Sequence, residues 1–470
     1  MNNINKKDFF NKIANRRFFW KKIHNYYHSQ LKKYYKFYVL PNSSVLELGC
    51  GNGDLLNSLI PSKGVGIDFS KKMIEISKLK YPNMEFYNFD LNNKINNYRE
   101  KFDYVIISDL IRDLEDIHLF FENLRDFCNQ NTRIIISYSN KFWEPVLKIA
   151  EIFKIKTPEF KQNWIGVEDL RNIVQLCDFE IVKENKKILI PFKFPLINFF
   201  FNNLLANLPF FRKFNLINFT HLRYKTDVSN LDKSVSIIIP TQNEKGNIEN
   251  AIKRIPNFGK SIEIIFVEGK SKDNTFEEIL RVKEVYNNKK ILVIKQKGIG
   301  KGNAVREGFN IATGEIMMIL DADLTVQPEE LVKFYKAIIN NKGEFINGSR
   351  FVYPLEKRSM RFLNILGNKF FTSLLSYSIN QNLTDTLCGT KVLYKKDYLK
   401  IDENRSFFGE FDPFGDFDLI FGAARLSLKI IDIPIRYKER SYGSTQISRF
   451  SHGWQLIKMT FFALIKIKLN

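Results

Sequence analysis

Short apolar runs that end abruptly in glycine or a carboxylate set the rhythm of this chain. S-V-L-E-L-G-C-G-N-G (Ser44–Gly53) carries an apolar run straight into three glycines. V-G-I-D closes a second run at Asp68, E-F-Y-N-F-D a third at Asp90, and F-D-Y-V-I-I-S-D a fourth at Asp109. The pattern restarts with S-V-S-I-I-I-P-T-Q-N-E (Ser234–Glu244), then I-E-I-I-F-V-E-G-K-S-K-D-N-T (Ile262–Thr275) and I-M-M-I-L-D-A-D (Ile316–Asp323). Runs of this length, bounded by Gly, Pro and acids, predict buried strands. Two α/β domains follow, one over 39–226 behind a basic, aromatic helical arm at 1–38, the other over 233–470. The stretch between the two starts, Ile188–Lys225, is rich in Phe, Leu and Asn.

The strand ends carry the candidate chemistry. Side chains at i and i+2 of a strand share one side, so Asp321 and Asp323 repel each other unless a cation or a network lies between them. That pair suits Mg²⁺ or Mn²⁺, which take oxygen ligands and share them with phosphates; a strand followed by an acid-capped turn is the plainer alternative. K-G-I-G-K-G-N-A-V-R-E-G (Lys297–Gly308) is a glycine-loosened, cationic loop suited to anionic oxygens, and N-G-S-R follows at Asn347–Arg350. In the first domain, Gly49, Gly51 and Gly53 let the backbone approach a ligand, and Asp68 is placed to accept hydrogen bonds from a ribose diol. A nicotinamide fingerprint would read G-x-G-x-x-G. Here the spacing is E-x-G-x-G-x-G, with Asp54 in place of the third glycine.

That spacing resembles the class I S-adenosylmethionine-dependent methyltransferases, across roughly Tyr38–Tyr224. The resemblance implies a Rossmann-like fold with Glu47, Gly49, Gly51, Gly53, Asp68 and Asp90 around S-adenosylmethionine. The second set of motifs, in order and spacing, resembles glycosyltransferase family 2 of the GT-A fold, within it the dolichyl-phosphate mannosyltransferase-like enzymes. This resemblance implies that Pro240, Glu244, Glu268, Asp273, Lys301, Asp321 and Arg350 surround a nucleotide-sugar, with Asp321 and Asp323 on the metal. It places the catalytic carboxylate at Asp385 in T-D-T-L-C-G-T-K, with Asp416 and Asp418 of G-D-F-D as rivals. It also makes the segment after Tyr437 a loop that closes over donor and acceptor, with Arg440 and Arg449 toward phosphate. The family's V-D-D-x-S reads V-E-G-K-S here, so Glu268 and Gly269 replace two acids and the choice of nucleotide stays open.

Composition adds an anionic partner. Seventy-two Lys and Arg against 51 Asp and Glu give a net charge of +21 in 470 residues, which favours phosphorylated substrates, acidic headgroups or nucleic acid. No RNA-recognition signature accompanies it, so nucleic acid is not expected. Three segments mix cations with large apolar residues: Asp8–Tyr38, 186–226 and Trp454–Leu469. Each fits a helix lying at an anionic membrane surface, or a basic helix whose apolar face packs on its own domain. Four scattered cysteines without C-x-x-C spacing, no signal-peptide pattern and no spanning segment of ~20 apolar residues suggest a cytoplasmic protein, peripheral at the inner face of the membrane.

The expected function is bifunctional: sugar transfer with inversion to a glycan or polyprenyl-phosphate acceptor, and methyl transfer, in surface polysaccharide or glycolipid synthesis. Two alternatives are a glycosyltransferase with a non-catalytic methyltransferase-like docking module, and an RNA methyltransferase.

Overall fold

The computed structural model describes residues 9, 24–93, 100–153, 155–156, 163–194, 197–225, 232–353, 362–407, 417–440, 442 and 449–469. The chain divides into two compact units, one ending at Thr226 and the other running from Asp227 to Lys468.

The first unit is built on β1 (Ser44–Leu48), β2 (Lys63–Asp68), β3 (Glu85–Asn88), β4 (Tyr104–Ser108), β5 (Arg133–Ser139), β6 (Phe179–Lys187) and β7 (Ile217–Tyr224). They form one sheet in the order β3-β2-β1-β4-β5-β7-β6. β1 to β5 are parallel, and β7 runs antiparallel to both β5 and β6. Val105–Ile107 and Ile134–Ile136 are wholly buried, as strands covered on both faces must be. On one face Ile134, Ile136 and Leu222 meet Phe121, Leu170 and Val174. On the other lies the helix Asn25–Tyr38, whose Tyr34 and Tyr35 rings stand edge-on to Phe219 at 5.5 and 5.6 Å.

This packing bears on two of the basic, aromatic segments. Over its described residues the arm is part of the first unit, and its aromatic face lies on the sheet, the second of the two alternatives for it. Lys183 and Lys187 sit over the Tyr38 and Tyr34 rings at 4.3 and 5.0 Å, and burial pushes both ammonium groups down to about 7. The ends of the segment 186–226 likewise belong to β6 and β7. Only its middle presents apolar side chains to solvent, Phe199, Phe200, Leu204, Leu208 and Phe210 among them.

The second unit is built on β8 (Ser234–Thr241), β9 (Ser261–Glu268), β10 (Lys290–Lys295), β11 (Ile316–Ile319), β12 (Phe345–Ser349), β13 (Lys391–Tyr394) and β14 (Ile430–Pro434). Their order is β10-β9-β8-β11-β13-β12-β14. β8 to β11 are parallel, while β13 runs antiparallel between β11 and β12. Ile237, Ile239, Phe266, Met318 and Phe334 form the centre of its core.

At the end of this sheet away from the acids, Glu263 ties three segments together. Its carboxylate accepts from the Ser236 and Thr313 hydroxyls and pairs with Lys290 at 2.7 Å, with the side chain only 3% exposed. The Ser236 hydroxyl in turn accepts from the backbone of Gly314 at 2.8 Å, where a Cβ would strike Ser236. Burial would raise the Glu263 pKa, but the bonds from Lys290, Ser236 and Thr313 outweigh it and hold the group at about 2. Its contribution is therefore complete above the ordinary glutamate value of 4.5 and is lost as pH falls toward 2, a change of roughly 3 kcal/mol. Urea titrations from pH 6 to pH 3 are expected to show this loss in the intact protein and to lack it in Glu263→Gln, which starts less stable.

Candidate functional sites

In the first unit the turn after β1 is a backbone cradle. Gly49, Gly51 and Gly53 all have positive φ, at 74°, 54° and 74°, a conformation that costs other residues steric strain. A Cβ at Gly49 would meet Leu110 at 2.9 Å, whereas one at Gly51 would enter open space. Two buried carboxylates fix this turn. Glu47 accepts from the backbone of Leu56 at 3.0 Å. Asp68 accepts from the backbones of Gly51 and Ser70, both at 2.9 Å. Asp90 accepts from the backbone and side-chain amide of Asn92. Gly49, Asp68 and Asp90 line one cleft, together with Asn92, Leu110 and Asp113.

Those last three lie in loops after β3 and β4 that carry no motif. The only sequence signal near them is the strand end at Asp109. That residue takes a φ of 54°, and its carboxylate accepts from the Tyr27 hydroxyl at 2.8 Å. The residues present suit S-adenosylmethionine: glycines leave room for a close ligand, and carboxylates face hydroxyls and a cationic sulfonium.

In the second unit the candidate residues gather where β8, β9 and β11 end. Gly300, with φ 84°, starts the helix Lys301–Ile311, and the Lys301 ammonium lies 2.6 Å from the Asp321 carboxylate. The backbone at Gly389 presses against this pair, since a Cβ there would run into both Asp321 and Lys301. Asp323 accepts from the Thr325 backbone and hydroxyl and pairs with Arg440 at 2.6 Å. Arg440 also meets Glu244 at 3.2 Å. Burial, helped by Asp323 and Asp273 and opposed by Arg440, pushes Glu244 up to about 7. Asp273 accepts from the Tyr442 hydroxyl at 3.3 Å, and Glu268 from the backbone of Ser271. Pro240 stands near the end of β8, paired with Val267. Asp321, Asp323, Glu244 and Asp273 thus share one end of the sheet with Lys301 and Arg440. Tyr442, which no motif singled out, joins them.

Gly269, where the resembled family has an acid, donates its backbone N–H to Thr241 at 2.9 Å. A Cβ there would lie 2.8 Å from the side-chain oxygen of Gln296. Gln296 donates to the backbone of Gly300 and to Asn303, so it fixes the glycine loop ahead of Lys301.

The geometry bears on two further expectations, the roles of Asp385 and Arg350. Asp385 is fully buried. Its carboxylate accepts from the Arg350 guanidinium at 2.6 and 2.9 Å, from Asn368 at 2.8 Å and from the backbones of Arg350 and Leu387. Burial opposes ionisation here, but Arg350 overrides it and holds the carboxyl below its ordinary value. A carboxylate so enclosed and so weakly basic acts here as counter-ion to Arg350, an arrangement that suits support of the site better than proton acceptance. Arg350 in turn is held by that pair, with its guanidinium 5.1 Å from the Tyr437 ring. Of the rivals, Asp418 is buried near Arg306 and Arg405, at 3.6 and 3.7 Å. Asp416 and the Arg449 side chain lie outside the described residues.

Residues 236–401 match the family model "Glycosyl transferase family 2". Residues 40–179 match "Methyltransferase domain". Over those spans the chain carries an N-terminal methyltransferase domain and a C-terminal glycosyltransferase family 2 domain. A dolichol-phosphate mannosyltransferase from Pyrococcus furiosus is 39% identical over 120 residues, 25% of this chain and 33% of that protein. The chain thus spans a third of that relative's length. Among solved structures, a possible histamine N-methyltransferase from Thermotoga maritima is 14% identical, covering 47% of this chain and all of its own, with a TM-score of 0.37. Glucosyl-3-phosphoglycerate synthase from Mycobacterium tuberculosis with UDP is 16% identical over 49% of this chain and 80% of its own, also at 0.37.

The metal expected on the family 2 domain rests on two carboxylates. Among the described residues no group of three or more His, Cys, Asp or Glu could hold an ion. Asp321 and Asp323 alone suit Mg²⁺ or Mn²⁺ completed by phosphate oxygens and water, and do not suit an all-protein cage.

Proposed function

We propose that the family 2 domain transfers a sugar, with inversion, from a nucleotide-sugar to a polyprenyl-phosphate or glycan acceptor. The methyltransferase domain transfers methyl groups from S-adenosylmethionine in the same pathway, assembly of a surface polysaccharide or glycolipid. The observation that carries the first reading is the pairing of Lys301 with Asp321 and of Arg440 with Asp323, both at 2.6 Å. A sugar diphosphate brings negative oxygens, and two cations already at the sheet edge can turn from carboxylate to phosphate. Asp321 and Asp323 would hold a divalent cation, which when bound neutralises charge on the diphosphate leaving group. Pro240, Glu244, Glu268 and Asp273 border the nucleotide. Asp385 supports Arg350 and Asn368, so a phosphate acceptor, which is already ionised, fits this site better than a hydroxyl needing a base.

Two exposed apolar faces support a peripheral place on an anionic membrane. One comprises Phe199, Phe200 and Phe210, the other Trp454, Ile457, Phe461 and Ile465 on the last helix, accompanied by lysines and arginines. Among the described residues no helix is long and apolar enough to cross a membrane.

The test is nucleotide release from a panel of UDP- and GDP-sugars, with Mn²⁺ or Mg²⁺ and polyprenyl phosphate. Turnover of one donor, abolished by chelation, is the expected result. Release from none, or release indifferent to chelator, counts against it. Calorimetry with S-adenosylmethionine separates a working methyltransferase, which gives heat, from a docking module, which gives none.

A further inference from the structure

A second cavity, of about 170 Å³, opens in the first unit on the face of the sheet that carries the helix Val167–Leu176. Strand register places its floor. Tyr138 of β5 lies opposite Asn218 of β7, and Asn218 opposite Lys186 of β6; Thr220 and Glu184 form the next pair. All five line the cavity, as do Arg212 and Lys213 from the connection before β7. The floor is at the carboxyl end of β5, the sheet edge from which such folds bind ligands.

The floor is buried and short of partners. Asn218 is 3% exposed, yet neither the oxygen nor the nitrogen of its amide has a hydrogen-bond partner. The Tyr138 hydroxyl, 1% exposed, meets the Thr220 side chain, but too loosely to satisfy it with a well-formed hydrogen bond. Buried polar groups in this condition signal a missing ligand or ordered water. The rim is cationic. Arg212 donates to the backbone oxygen of Glu184 at 2.9 Å, and the Glu184 carboxylate is held by Arg171 at 2.7 Å. Val167 adds the positive end of its helix, although Asp169 there caps the backbone of Gly166.

We propose that this cavity binds a phosphate group attached to a glycerol- or sugar-sized body. Asn218, Tyr138 and Thr220 supply uncharged donors, and Lys186, Arg212 and Lys213 supply positive charge. Burial, then Arg212, hold Lys186 below the ordinary lysine value, with Lys213 adding to the effect; an anion among the three relieves that repulsion. Pro209, also in the lining, directly follows the exposed Leu208, with the exposed Leu204 one turn earlier. The same phosphate chemistry can therefore arrive on a lipid headgroup or on a soluble metabolite.

The test uses the full chain. Glycerol 3-phosphate is titrated calorimetrically, and retention is measured on phosphatidylcholine vesicles with and without phosphatidic acid. Lys213→Glu, at an exposed position, and Asn218→Leu are each expected to weaken glycerol 3-phosphate at least about tenfold. Asn218→Leu should keep or raise the melting temperature, since it removes an unsatisfied buried amide. Lys301→Ala, in the other unit, should leave this binding unchanged, which separates it from the proposed nucleotide-sugar site. Phosphatidate-dependent retention that glycerol 3-phosphate displaces assigns the site to a lipid, and soluble binding without retention assigns it to a metabolite. Absence of both, or binding equal in wild type and Asn218→Leu, overturns the proposal and leaves the cavity to water.

Discussion

Asp321→Ala is expected to lower sugar transfer by about 10³-fold, with the protein still folded. Three losses combine in this one change. A carboxylate suited to a divalent cation disappears, and removing a single preorganised electrostatic group commonly costs about 10²–10³ in rate. Lys301 also loses the partner that lies 2.6 Å away, so its ammonium, at the first turn of its helix, no longer has a fixed direction. Finally, Gly389 packs against both groups, and truncation opens a gap there. Asp323→Ala removes the other carboxylate but leaves Lys301 paired with Asp321, and removes one of the acids that hold Arg440. Its rate loss should be similar, whereas its apparent affinity for nucleotide without metal should rise, because Arg440 becomes available to phosphate. Nucleotide-release kinetics at varied Mn²⁺ read both effects. Turnover of Asp321→Ala within a few-fold of wild type would remove the metal and the diphosphate from this end of the sheet.

The parts of this site that sequence made legible are those in which chemistry and chain order coincide. An apolar strand ending in two acids declares itself over eight residues, and a glycine-loosened lysine loop does so over a dozen. Asp321, Asp323 and Lys301 stand out that way, whereas Glu244 and Asp273 enter only through the order of motifs that resembles family 2. What stayed illegible depends on pairing between distant strands. Asp385 lies between β12 and β13, and its role as partner of Arg350 follows from β13 running antiparallel beside β12. Nothing in T-D-T-L-C-G-T-K distinguishes a carboxylate that takes a proton from one that holds a guanidinium. The aromatic arm stays ambiguous in sequence for a related reason. Tyr and Phe interleaved with Lys suit a lipid interface and a sheet face equally, and Phe219 and His221, far along the chain, decide between them. Asn218 and Tyr138 became visible as a pair only through the register of β5 with β7.

The buried pair at Arg350 and Asp385 gives the other large effect. Asp385→Ala is expected to destabilise the second unit by about 3–5 kcal/mol, because it strands a guanidinium that is only 10% exposed without its counter-ion. Asn368 loses its acceptor as well, as do the backbone N–H groups of Arg350 and Leu387. The pH dependence has a definite sign. With the carboxyl held below its ordinary value, the pair stabilises at neutral pH, and its contribution falls as acid protonates the group. A double variant, Asp385→Leu with Arg350→Met, removes both charges and should recover much of the lost stability, as replacement of buried ion pairs by apolar residues often does. Urea unfolding followed alongside sugar transfer distinguishes support from catalysis. A counter-ion predicts that activity follows the folded fraction and returns in part with the double variant. An Asp385→Ala protein with unchanged unfolding midpoint and no activity would instead restore Asp385 as the proton acceptor that the motif alone suggested.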